Sequence, residues 1–179
     1  IGNCNTSADI LVKTVPYPKA NAGDDTTLCF PASLALHGTG GSVYSWTPAT
    51  YLSNPSISNP ISLPQESIEY NLQVNDALGC PKPAFATIKI TVEKLVADAG
   101  PRDTSIVAGQ PLQLNGSGGD FYAWSPAEGL NNENISDPVA QLGSSQQFIL
   151  KVTSIAGCTA VDTIDVTVYK GKQDFYVPD

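Results

Sequence analysis

Apolar and polar positions alternate along this chain with a period of two, and no window sustains the apolar period of a helix. In Ile68-Glu69-Tyr70-Asn71-Leu72-Gln73-Val74, residues Ile68, Tyr70, Leu72 and Val74 share one side and polar residues take the other. That is the pattern of a strand with one buried face. Phe148-Ile149-Leu150-Lys151-Val152 repeats it. β-Branched alternating runs over 87–92 and 163–168 each follow a Gly-Cys pair, Gly79-Cys80 and Gly157-Cys158, and predict the closing strands of hairpins. Shorter strands are predicted at Leu34-Ala35-Leu36 and Leu112-Gln113-Leu114. They lead into two glycine turns, Gly38-Thr39-Gly40-Gly41 and Gly116-Ser117-Gly118-Gly119. The reading is all-β.

Laid out this way, the chain says most things twice. Tyr44-Ser45-Trp46-Thr47-Pro48-Ala49 returns as Tyr122-Ala123-Trp124-Ser125-Pro126-Ala127, and these hold the only two tryptophans. Ala22-Gly23 returns as Ala99-Gly100, and Asn59-Pro60 as Asp137-Pro138. Matched landmarks in constant order mark an internal repeat. The expectation is two tandem Ig-like antiparallel β-sandwiches, residues 16–94 and 95–170, joined with almost no linker. Alternation turns Trp46 and Trp124, with Tyr44 and Tyr122 two residues before them, toward the cores as anchors. Truncating one buried tryptophan typically costs about 3–5 kcal/mol. Tyr51 and Phe121 are expected further out.

Gly2-Asn3-Cys4 ahead of Asp9-Ile10-Leu11-Val12-Lys13-Thr14-Val15 matches the two Gly-Cys hairpins, so residues 1–15 read as the C-terminal hairpin of a preceding repeat. Residues 171–179, with Phe175-Tyr176-Val177, read as a linker to a further C-terminal domain. Without a basic-apolar leader, the sequence reads as the mature or excised part of a longer chain.

Composition sharpens this picture. Fifteen Gly, fourteen Pro and no Met suit strands and turns. A net charge of −8 disfavours nucleic acid and anionic lipid as partners. The longest apolar runs are strand-sized, too short for a membrane helix.

Candidate chemistry is sparse. Cys29 and Cys80 fall in one repeat and could pair in an oxidising compartment. Closing that loop would contribute about 4 kcal/mol on the chain-entropy model. Val107 stands where Cys29 stood, so Cys158 is either a buried thiol or paired outside its repeat, and the partner of Cys4 is expected before Ile1. No Cys-x-x-Cys or Cys/His cluster suggests zinc. Asp24, Asp25, Asp76, Asp98 and Asp103 lie in predicted turns where hard oxygen ligands could hold Ca²⁺, although Asp is also a common turn residue. No other cofactor is indicated. His37 is the only histidine and has no nucleophile motif around it, so no catalytic residues are assigned and no enzyme is expected. Asn5, Asn115 and Asn134 fit the N-linked sequon.

The Ala-(Asn/Asp)-Ala-Gly starts, the Tyr-x-Trp-x-Pro strands, the Asn/Asp-Pro pairs and the Gly-Cys hairpins cover nearly all of residues 16–170. In this order they resemble the PKD-like, immunoglobulin-like repeats of large surface and secreted proteins of the Bacteroidota. Phe175-Tyr176-Val177-Pro178 is similar to the run before a sorting domain read by the type IX secretion system, whose Gly-Asp-Gly-type motif this sequence lacks. The resemblance implies a seven-strand-type sandwich displayed at the surface of a Gram-negative cell or secreted, acting as a stalk, spacer or adhesive module without catalysis. It also implies that Asp25-Thr26-Thr27 and Asp162-Thr163-Ile164 are O-glycan acceptor motifs, at Thr26 and Thr163. Implied partners are neighbouring repeats, the type IX machinery, surface glycans or copies of the chain itself. The alternative is a carbohydrate-binding module whose loops 50–60 and 127–138 contact glycans, with Tyr51 as a platform.

Overall fold

The computed structural model describes Gly2 and residues 6–11, 17–76 and 82–170. Two compact units divide the chain, Ile1–Thr91 and Val92–Asp179. The first holds β1 (Thr26–Cys29), β2 (Leu34–Ala35), β3 (Val43–Thr47), β4 (Ile61–Ser62), β5 (Ile68–Asn75) and β6 (Ala84–Glu93), which runs two residues past that division. The second holds β7 (Asp103–Val107), β8 (Pro111–Gln113), β9 (Phe121–Ser125), β10 (Val139–Gln141), β11 (Gln146–Thr153) and β12 (Thr159–Tyr169).

Each unit is an Ig-like sandwich of a four-stranded and a two-stranded sheet. The larger sheets run β1-β6-β5-β3 and β7-β12-β11-β9, and the smaller ones pair β2 with β4 and β8 with β10. The clean alternation in β5 is explained by its position. It lies between β3 and β6, with Trp46 opposite Leu72 and Tyr70 opposite Ile88. Tyr70, Leu72 and Val74 are fully buried, while Asn71, Gln73 and Asn75 are half-buried on the other side. β11 repeats this with Phe148, Leu150 and Val152. At the edge of the second unit's larger sheet, β7 runs parallel to β12 from Asp103↔Asp165 to Val107↔Tyr169.

Six strands per unit stand among the described residues, where the resemblance implied a seven-strand type, because the opening segment makes an isolated bridge in place of a full strand. Asn21 bridges Thr39, and Asp98 bridges Ser117, beside the smaller sheets. The chain then turns at Gly23 (φ +89°) or Gly100 (φ +92°) and crosses to the larger sheet as β1 or β7. The Asn21 and Asp98 side chains each accept the glycine N–H at 2.8 Å, an Asx turn that fixes the crossing. Ala22 and Ala99 at the crossing are buried. The Ala-(Asn/Asp)-Ala-Gly motif is therefore a strand-switching device.

Of the hairpin expected over residues 1–15, Gly2 and residues 6–11 are described; they form no strand and stand exposed, with Ile10 at 86% and Leu11 at 84%. The expected linker 171–179 lies outside the described residues. No helix among the described residues is long and apolar enough to cross a membrane.

Candidate functional site

A constellation built in both units from the same residue types surrounds the indole rings. Trp46 and Trp124 are 1% and 2% exposed. Each strand stops at a proline, Pro48 or Pro126, and the loop beyond returns to the ring. Trp46 donates its backbone N–H to Pro55 O at 2.8 Å and its Nε1–H to Ile57 O at 3.0 Å. Trp124 does the same with Glu133 O at 2.8 Å and Ile135 O at 3.0 Å. A large apolar ring is thus buried with its single donor satisfied.

The glycine turn is the other wall of this box, and its glycines serve different ends. A Cβ on Gly38 would stand 2.9 Å from Trp46 Cζ2, and one on Gly116 would stand 2.8 Å from Trp124 Cζ2, so the indole rests on bare backbone. Gly40 and Gly118 adopt φ of +110° and +103°, and a Cβ on either would lie 1.9 Å from the carbonyl oxygen of Lys19 or Val96. Only glycine accepts that combination. The tyrosines close the turn: Tyr44 Oη donates to Gly41 O at 2.6 Å and Tyr122 Oη to Gly119 O at 2.8 Å. Both tyrosines are half-buried on the tryptophan side of their strands.

One end of the core differs between the units. In the first, the buried Tyr70 hydroxyl donates to Thr50 O at 2.8 Å and lies 3.0 Å from Ser62 Oγ, also fully buried. Burial pushes the Tyr70 phenol up; the Ser62 contact lowers it and the nearby Tyr51 raises it. Tyr51 is half-buried and holds φ +64°, the only non-glycine with positive φ among the described residues. In the second unit these positions are Phe148, Ala140 and Gly129 (φ +84°), and a Cβ on Gly129 would meet Leu142 Cδ2 at 2.7 Å. The individual differences are visible in the sequence at matched repeat positions, a signal strand alternation does not carry. Tyr70→Phe is expected to cost about 1–3 kcal/mol, because the buried Ser62 hydroxyl loses its partner. Adding Ser62→Ala should recover part of that loss, so chemical denaturation of the two single and the double variants should give less than additive costs.

Phe121 is exposed, as expected, whereas Tyr51 is drawn half-way into the unit. Of the five Asp residues proposed for calcium, Asp25 and Asp98 accept backbone N–H groups. Asp25 Oδ1 accepts the Lys89 N–H and Asp98 Oδ1 the Gly100 N–H, both at 2.8 Å. Among the described residues no three His, Cys, Asp or Glu groups gather around one point that could hold an ion. The two Asp-Thr motifs have a backbone role. Asp25 ties β1 to β6, and Asp162 Oδ2 accepts the Ala99 N–H at 2.8 Å. That bond and one from Thr163 N–H hold the Asp162 carboxyl below its usual range. Thr26 and Thr163 are both half-buried, on edge strand β1 and inner strand β12. Asn115 and Asn134 are exposed, and Asn5 lies outside the described residues. His37 is exposed beside a groove of about 210 Å³ lined by Asp24, Leu36 and Ile88 among others.

Cys29 and Cys158 are both disulfide-bonded. This removes the free-thiol alternative for Cys158, which is also buried. Cys80, the partner expected for Cys29, and Cys4 lie outside the described residues. Alkylation of the unreduced, denatured chain should leave Cys29 and Cys158 unlabelled, and prior reduction should label both; labelling of either before reduction contradicts the structure.

Comparison with solved structures finds distant matches to immunoglobulin-domain proteins. Hemolin, an insect immune protein, matches at 14% identity over 87% of this chain and 47% of its own, with a TM-score of 0.45. The DIP-gamma IG1+IG2 structure matches at 12% identity over 86% of this chain and 98% of its own, with a TM-score of 0.45. Sidekick-1 immunoglobulin domains 1–4 match at 10% identity over 87% and 50%, with a TM-score of 0.47. The chain thus spans about half of the hemolin and Sidekick-1 structures. No family model and no curated protein matches the chain.

Proposed function

We propose that the chain is a non-catalytic structural or adhesive module of an extracellular protein, a stalk or spacer segment of a large cell-surface or secreted bacterial protein. The observation that carries this reading is the repeated tryptophan box. In both units the distinctive polar groups, Tyr44 and Tyr122 Oη and the two indole N–H groups, are engaged by the unit's own backbone. Every buried side-chain nitrogen or oxygen among the described residues has a hydrogen-bond partner, as in a framework built for integrity. Disulfide bonding of Cys29 and Cys158 suits an oxidising, extracellular compartment. The bacterial setting and export by the type IX route rest on the sequence resemblance alone.

A second reading, a carbohydrate-binding module, draws on Tyr51, whose left-handed backbone is the kind of strain that collects at binding loops. One pair of measurements separates the two. Under force in reductant, the stalk reading expects two cooperative unfolding events of similar size. On a polysaccharide array it expects no binding that depends on Tyr51. Glycan capture abolished by Tyr51→Ala would replace it with the second reading.

A further inference from the structure

The outward face of the second unit's larger sheet carries an arrangement that the first unit lacks. Strand register places Ser125, Ile149 and Thr163 in one row across β9, β11 and β12. On one side of that row lie Ala123, Lys151 and Val161; on the other lie Gln147, Asp165 and Asp103. Same-face rows are about 6.8 Å apart, so a cation and two carboxylates flank an apolar centre at equal spacing. Ile149, Val161 and Phe121 are 42%, 67% and 62% exposed.

The first unit serves as an internal control, because its face has the same register. Val43 and Phe85 are exposed there too, at the positions of Phe121 and Val161. Its centre, however, is Asn71 rather than Ile149. Gln73 replaces Lys151 and Lys89 replaces Asp165. Exposed flanking residues are thus common to both units, and the apolar centre between opposite charges belongs to the second alone.

We propose that this face is a homotypic docking surface whose occupant is the same face of a second copy. The charge pattern argues for that occupant. A two-fold axis along the Ile149 row sets Ile149 on its symmetry mate and brings each Lys151 over the row holding the other copy's Asp165 and Asp103. An isologous contact of this kind satisfies both charges at once. In a chain of net charge −8, association needs such local complementarity to offset general repulsion. The Asp165 Oδ1 that faces along its own row already accepts Gln147 Nε2 at 2.9 Å, which holds the carboxylate in place. The proposal rests on the adhesive half of the proposed function. Its failure leaves the spacer reading standing, since a monomeric stalk needs no such face.

The test is sedimentation equilibrium of the full chain over a wide concentration range. A monomer–dimer equilibrium that weakens with added salt is expected. Ile149→Glu should raise Kd at least about tenfold, as should Lys151→Asp and Asp165→Lys singly, and the exchanged pair Lys151→Asp/Asp165→Lys should recover most of that loss. Asn71→Glu in the first unit should change nothing. Near-UV circular dichroism should report an unaltered fold throughout, because all four side chains project away from the cores. A chain that stays monomeric up to millimolar concentration overturns the proposal. So does a dimer indifferent to Ile149→Glu, one weakened as much by Asn71→Glu, or a charge exchange that restores nothing.

Discussion

Gly118→Ala should unfold the second unit at ordinary temperature or bring it close to that point. The residue sits at φ +103°, and an added Cβ would lie 1.9 Å from Val96 O and 2.9 Å from Val96 C. The obstructing atoms are backbone, so no rotamer change relieves them. Val96 leads into Asp98, whose N–H and carbonyl bridge to Ser117 at 3.1 and 2.8 Å, and that bridge must break if the strands separate. Left-handed backbone strain alone costs a non-glycine residue roughly 1–2 kcal/mol. With the clash added, a loss above about 4 kcal/mol is expected, a large part of the 5–15 kcal/mol that holds a typical domain. Gly109→Ala is the control: φ is +80° but nothing lies within 4 Å of its added Cβ, so only the backbone strain remains. Denaturation followed by Trp124 fluorescence should separate the two variants by several kcal/mol. Equal stabilities would contradict the close approach of Gly118 to Val96 O.

The second large effect belongs to the indole. Trp124→Ala should cost about 3–5 kcal/mol through lost burial and the cavity it leaves, and Ile135 O should lose its donor. The packing against Gly116 makes this prediction sharper. In the intact protein, Gly116→Ala places a methyl 2.8 Å from Trp124 Cζ2 and Leu150 Cδ2 and 3.1 Å from Ser136 O, and it should be destabilising by about 1–3 kcal/mol. With the indole removed, the same methyl enters vacated space, so Gly116→Ala should become much less costly in the Trp124→Ala background. Such non-additivity in denaturant titrations identifies direct contact. Strictly additive costs would place the ring elsewhere.

Much of this architecture was legible because alternation in β5, β11 and the tryptophan strands reflects burial on a single face, which period-two patterning reports directly. What lay beyond reach depended on contacts across the fold. The glycine turns were recognisable as turns, but that Gly38 and Gly116 are floors for an indole follows only from β3 and β9 crossing over them. Ala22-Gly23 and Ala99-Gly100 stand out in the sequence only as repeat landmarks, whereas Gly23 and Gly100 turn the chain from one sheet to the other. Asp25 and Asp162 belong to the candidate metal and glycan motifs, and the hydrogen bonds they accept from Lys89 and Ala99 N–H could not be read from those motifs. Tyr51 was read as an outlying platform, and its left-handed backbone and half-burial beside Tyr70 come from the loop that Thr50 and Leu63 tie down. The substitutions linking Tyr51, Ser62 and Tyr70 to Gly129, Ala140 and Phe148 were visible in the repeat, but only three-dimensional proximity shows that they form one set.

Each unit is built around one tryptophan whose ring lies on a glycine and whose N–H is held by the loop beyond. Hydrogen exchange of the two indole N–H groups, followed by NMR on chain labelled with ¹⁵N-tryptophan, tests it most directly. Two indole resonances should appear, each slowed on the order of a thousandfold or more relative to free indole, as groups released only by unfolding are. An indole proton exchanging at the free rate, from either Trp46 or Trp124, would contradict it.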